Sequence, residues 1–228
     1  MSIKLMYNTY TAMVYYTYFL YATTMGKGNI MKKNEIKAKA FSLFANKGYH
    51  DASMQEIAKA VGINKATLYF YFPGKAELYG EIMQDKIPEL CDAINGEIAT
   101  VPEDNMTARL KCIFNVFISK LSDESLIMWK RTMLMCTNEY DQSVKDKAKK
   151  LLRERDAIIA ETTRGILLNR NISDEKISNY IECSTAAIRG FSDMRLIHML
   201  DDAPIHNKES LADKAWEQFW NGGKSLLG

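Results

Sequence analysis

The stretch from Ser53 to Lys75 limits the fold more than any other part of the 228-residue chain. Ser53-Met54-Gln55-Glu56 has the form of a capping box, in which the Ser hydroxyl accepts from the amide three residues on and the Glu carboxylate reaches back. A helix therefore starts there, with Ile57, Ala58 and Val61 on its inward stripe. Gly62 provides the unhindered backbone of a tight turn, and Asn64 caps another helix. In that helix Leu68 and Phe72 fall four apart and face inward, leaving Lys65, Thr67, Tyr69 and Tyr71 on the outside. Pro73-Gly74 closes it, and Lys75 opens the next. Residues 54–73 thus read as helix, short turn, helix, stop. Upstream, Ile36, Ala40, Phe41, Leu43 and Phe44 make one helical stripe over 33–47, ended by Gly48.

Charge is distributed to match. Residues 32–75 hold eight lysines against three acidic residues, whereas residues 76–228 carry 20 basic and 25 acidic side chains. A basic head on an acidic body is the arrangement expected of a nucleic-acid-binding domain joined to one that does not touch nucleic acid.

Residues 53–78, SMQEIAKAVGINKATLYFYFPGKAEL, resemble the N-terminal signature of the TetR/AcrR family of transcriptional regulators. The resemblance covers about residues 33–80; beyond them only chain length and helical pattern agree. It implies an all-α fold, with an N-terminal three-helix helix-turn-helix DNA-binding domain over 31–78. A helical ligand-binding and dimerisation domain follows over 79–228. It also implies a ligand-released homodimeric repressor on a near-palindromic operator, with an activator as the alternative. By the resemblance, the helix 65–71 enters the major groove. There Lys65 donates to guanine, Thr67 meets a base edge or a thymine methyl, and Tyr69 and Phe70 lie at base or backbone positions. Ser53, Tyr71 and Lys75 match phosphate-holding positions. Ala66 stands where the family often has Gly, which bears on one close approach of backbone to base. For Tyr69 and Phe72, burial in a core is an equal reading.

The body shows no strand alternation. Helices are expected near 75–98, 105–121, 124–138, 141–169, 173–200 and 207–227, with Pro88 kinking the first. The helix over 173–200 carries Ile177, Tyr180, Ile181, Ser184, Ala187, Ile188, Phe191 and Met194. The final helix carries Leu211, Ala215, Trp216, Phe219 and Trp220. The resemblance implies that these last two helices form the dimer interface. It also implies an inducer pocket inside 105–170, with Phe114, Phe117, Met128, Trp129, Met133, Met135 and Tyr140 as candidate lining. Arg189 and His198, polar groups on a mostly apolar helix, are candidates for a hydrogen-bonding or anionic ligand. The helix 75–98 is the expected link between ligand and DNA-binding head.

Cys91, Cys112, Cys136 and Cys183 lie far apart with no CxxC pair, so four buried reduced thiols in a cytoplasmic protein are expected. No catalytic, cofactor or metal-binding residues are nominated, since none of the three histidines (His50, His198 and His206) has an acidic or cysteine partner that makes a metal site attractive, and no Ser or Cys nucleophile stands with a placed His. An enzyme is therefore not expected. Residues 5–25 hold no charged side chain and many Tyr, Thr and Met. Residues 1–30 are expected to be a non-globular leader or a mis-assigned start ahead of Met31. The alternative is an anchor for a membrane-bound helical interaction protein.

Overall fold

The computed structural model describes residues 27–136, 140, 142–168, 170–200 and 208–227; it does not describe the side chains of 27, 123, 194–200 and 208–210. Residues 1–26 of the leader expected over 1–30, the break expected over 201–207, and the side chains of Met194 and His198 lie outside what is described. Among the described residues all regular structure is helical. The chain divides into two compact units, Met1–Pro88 and Glu89–Gly228.

The first unit contains α1 (Lys27–Asp51), α2 (Met54–Val61), α3 (Lys65–Tyr71) and the first part of α4 (Lys75–Ala99). Helix α1 starts earlier than its apolar stripe begins, because Lys27–Ile30 already belong to it. Gly48, at φ 86° and ψ 170°, interrupts it where the sequence places a stop. Ile36, Ala40, Phe44, Ile57, Ala58, Leu68, Phe72 and Leu78 are all essentially inaccessible to solvent and form the core of this unit. On α1, Lys33 pairs with Glu81 at 2.7 Å and Lys37 with Asp85 at 2.5 Å, tying it to α4. Pro88, which has no N–H to give to the helical ladder, sits inside α4 at the boundary of the units.

The second unit adds α5 (Met106–Asn115), a π-helical turn at Val116–Lys120, α6 (Asp123–Leu134), α7 (Gln142–Leu167), α8 (Asp174–Leu200), α9 (Lys208–Gly223) and a 3₁₀ turn at Lys224–Leu226. The periodicity predicts one unbroken helix to 121; the ladder instead widens at Val116, and Ser119 Oγ donates to the Asn115 carbonyl at 2.9 Å. The core joins Leu90, Ile94 and Ile98 of α4 to residues of α5, α7, α8 and α9. Its centre is aromatic: Phe114 lies 5.6 Å, centroid to centroid, from each of Phe191, Trp216 and Phe219, and Trp216 stacks on Trp220 at 5.1 Å. Trp216 is thus buried within the chain, and Phe219 is half-buried.

The expectation of four buried cysteines holds only for Cys112. Cys91 and Cys136 are half-buried and Cys183 is exposed. On α8 the buried stripe runs Ile177, Tyr180, Ser184, Ile188, and Cys183 falls one position off it. Burial pushes the Cys91 thiol up to about 11, so it is protonated and a poor nucleophile at neutral pH. No described helix is long and apolar enough to cross a membrane.

Candidate DNA interface and ligand pocket

Helices α2 and α3 are held apart by a turn whose every element follows from the sequence. Ser53 Oγ accepts from the Glu56 amide at 3.1 Å, and the Glu56 carboxylate accepts from the Ser53 amide at 3.0 Å, completing the capping box. A hydrogen bond from Lys47, with two more from Ser53, holds the Glu56 carboxyl down from an ordinary 4.5 to about 2. At the far end Gly62 adopts φ 73°, ψ 32°. The Ile63 amide then donates to the Ala58 carbonyl, and the Gly62 amide to that of Lys59, a Schellman closure that demands a left-handed residue. Asn64 Oδ1 accepts from the Thr67 amide at 2.7 Å and starts α3.

The outward face of α3 carries Lys65, Ala66, Tyr69 and Phe70. Phe70 is 76% exposed and Tyr69 42%, whereas Phe72, two residues on, is wholly buried beneath the Lys33 ammonium. The two readings of Tyr69 and Phe72 therefore separate, Phe72 into the core and Tyr69 outward. The Lys65 ammonium stands 5.8 Å from the Tyr69 ring, one turn on, with solvent around it. An exposed apolar ring beside a free ammonium on a short helix suits a surface that meets base edges.

Four nominated residues have their polar groups engaged inside the unit, which spacing alone does not reveal. The Thr67 hydroxyl donates to Asn64 Oδ1 at 2.9 Å, and the residue is half-buried. The Ser53 hydroxyl donates to Glu56. Tyr71 donates to Asn29 Oδ1 at 3.2 Å. The Lys75 ammonium donates to the carbonyls of His50 and Ala52, at 3.1 Å each, and lies 4.6 Å from the Tyr49 ring. Desolvation there lowers its pKa. Lys75 thus fixes the C-terminal end of α1 against the start of α4.

In the second unit, a pocket of about 50 Å³, part of it open to solvent, is lined by Phe117, Leu121, Leu126, Trp129, Lys130, Met133, Arg155, Ile159, Ile188, Arg189, Ser192 and Asp193. It brings together Phe117, Trp129 and Met133 of the nominated set, and Arg189. Phe114 instead lines a smaller space of about 10 Å³ with Tyr180 and Trp216. Met128 and Met135 are buried, and Tyr140 is half-buried; none of the three lines either pocket. The sequence reading missed Arg155, Ser192 and Asp193. Among the described residues no three His, Cys, Asp or Glu side chains gather as a metal site would require.

Residues 36–82 match the model for bacterial regulatory proteins of the tetR family. Over 103 residues, 43% of this chain and 46% of the relative, the sequence is 28% identical to the HTH-type transcriptional activator FasR of Mycolicibacterium smegmatis. Over 53 residues, 23% of this chain and 29% of the relative, it is 36% identical to IcaR of Staphylococcus epidermidis, the negative transcriptional regulator of the biofilm operon icaADBC. These matches span less than half the length of either relative. In three dimensions the chain is similar to the transcriptional regulator FadR of Bacillus subtilis, whose structure is a complex with stearoyl-CoA. The TM-score is 0.61 at 14% identity, over 82% of this chain and 97% of that one, a likeness of fold.

Proposed function

We propose that this chain, which belongs to the tetR family of bacterial regulatory proteins, is a sequence-specific DNA-binding transcriptional regulator, acting as a homodimeric repressor that a small-molecule ligand releases from its operator. The observation that carries the reading is the outward face of α3, where Lys65 and Phe70 stand free on a helix whose start, turn and underside are fully capped and packed. A rigidly held short helix with an available cation and apolar groups has what major-groove readout requires. Lys65 is the proposed guanine reader. Ala66, Thr67, Tyr69 and Phe70 meet bases or sugar. Ser53 and Tyr71 approach phosphates from the flanks, and Lys75 acts chiefly by bracing the head.

Release by ligand is supported by the apolar pocket of the second unit and by the fold it shares with a regulator bound to stearoyl-CoA. Helix α4 contributes to both units, so a ligand that alters the body has a continuous element through which to bias the head. Any ligand that weakens DNA binding this way must itself bind more weakly to the DNA-bound form, by the same factor. The repressor reading is supported by the similarity to IcaR, itself named a negative transcriptional regulator.

Fluorescence anisotropy with the chain's own upstream DNA tests this. Binding should exceed that to scrambled duplex and weaken steeply with salt. Lys65→Ala should cost about fivefold to a hundredfold, the worth of one good base contact. Equal, weak binding to every duplex would refute sequence-specific regulation, and a reporter assay with and without the protein fixes the sign.

A further inference from the structure

The pocket of the second unit has one polar group without a partner. Ser192 is 8% exposed, lines the pocket, and its Oγ makes no hydrogen bond. Helical hydroxyls ordinarily fold back on a preceding carbonyl. Elsewhere in this unit that happens: Thr132 donates to Met128 at 2.8 Å, Ser119 to Asn115 at 2.9 Å and Ser184 to Ile181 at 3.0 Å. A buried hydroxyl left without a partner is costly, so its exception at this place needs an explanation.

Charge around the same pocket is also unbalanced. Arg155, with only 11% of its side chain exposed, lies 5.6 Å from the Trp129 ring and donates to Asp156 Oδ1 through Nη2 at 2.8 Å. Arg189 donates to the other oxygen of the same carboxylate. Lys130 pairs with Asp193 at 2.6 Å. Three cations thus share two carboxylates, and an arginine cannot relieve the imbalance by losing its proton. Arg189 and Ser192 are three apart on α8, hence neighbours on one face.

We infer that the pocket binds a monoanionic amphipath of the carboxylic acid class, its carboxylate accepting from Ser192 Oγ and Arg189 and its apolar body lying against Phe117, Trp129 and Ile188. The negative charge supplies the missing counter-ion, and the Ser192 hydroxyl gains its acceptor. A cationic ligand finds both carboxylates already paired, and a neutral one leaves the excess charge in place. The inference rests on the reading of the second unit as a ligand-binding domain and adds the class of ligand.

Calorimetric titration of the full chain with decanoate and with decan-1-ol, which share a chain and differ in head group, tests it. Decanoate should bind about tenfold or more tightly than the alcohol, since a hydrogen bond to a charged group outweighs a neutral one. Arg189→Gln, at a half-exposed position that should leave the fold unchanged, should erase most of that preference. Ser192→Ala should weaken decanoate about fivefold. No binding of decanoate, equal binding of the alcohol, or a preference that survives Arg189→Gln would overturn the inference. DNA anisotropy run alongside separates the two claims. Decanoate that binds as described without loosening DNA upholds the ligand class and removes ligand release; release by another compound, with decanoate unbound, does the reverse.

Discussion

Phe70 and Phe72 are the same residue type, two positions apart on one short helix, and should fail in opposite ways when cut back to Ala. Phe72 is fully buried, and removing a buried phenyl ring costs about 3–5 kcal/mol in lost transfer energy and residual cavity. That is a large part of the roughly 5–15 kcal/mol that holds an ordinary domain together. Phe70, 76% exposed, should change stability by no more than about 0.5 kcal/mol. Hydrogen exchange on the intact chain localises the effect. Amides of residues 54–72 should exchange roughly a hundred- to several-thousandfold faster in Phe72→Ala and at the wild-type rate in Phe70→Ala. All three tryptophans, Trp129, Trp216 and Trp220, belong to Glu89–Gly228, so their fluorescence should report an unchanged second unit in both variants. DNA affinity should fall about fivefold to thirtyfold in Phe70→Ala, from about 1–2 kcal/mol of lost apolar contact. Wild-type exchange in Phe72→Ala, or unaltered DNA binding in Phe70→Ala, would refute the assignment of inner and outer faces on α3.

Two further outcomes follow from the same unit. The Glu56 carboxyl is held down to about 2 in the folded chain against an ordinary 4.5, so its contribution is complete above about 4.5 and is lost as pH falls toward 2; thermal melts of wild type and Glu56→Gln, compared at pH 6, 4 and 2.5, should therefore converge as pH drops, and a constant gap would exclude the capping box as its source. Because the Thr67 hydroxyl is occupied and Ala66 and Phe70 are apolar, α3 should read thymine methyls, so replacing thymine by uracil in the half-site should weaken binding a few-fold per critical position, and less so in Phe70→Ala; indifference to uracil would rule out methyl readout.

Much of this was legible because the signals were local. Ser53, Gly62 and Asn64 act within four residues of themselves, and each does in the structure what its spacing implies. The apolar stripes of α5 to α9 placed their helices to within a few residues for the same reason. The start of α1 at Lys27 was not legible, since Gly28 and Asn29 are weak helix formers. Nor was the π-turn at Val116, because its residues, VFISK, read as ordinary helix. The site was half legible. Outward residues of α3 follow from periodicity, but the bonds that occupy Thr67, Tyr71 and Lys75 depend on neighbours up to 42 residues away. The polar end of the pocket was missed because Arg155 and Ser192 belong to different helices, and a serine inside an apolar stripe looks like a satisfied core hydroxyl.

Selection from a random duplex pool by the full chain tests the central claim most directly. A dimer reading DNA through α3 should enrich a two-fold symmetric site, its half-sites centred about one helical turn, or a multiple of it, apart. Each half should contain a guanine whose importance disappears in Lys65→Ala. A pool that stays random, or a site that Lys65→Ala recovers unchanged, would mean that α3 does not read DNA.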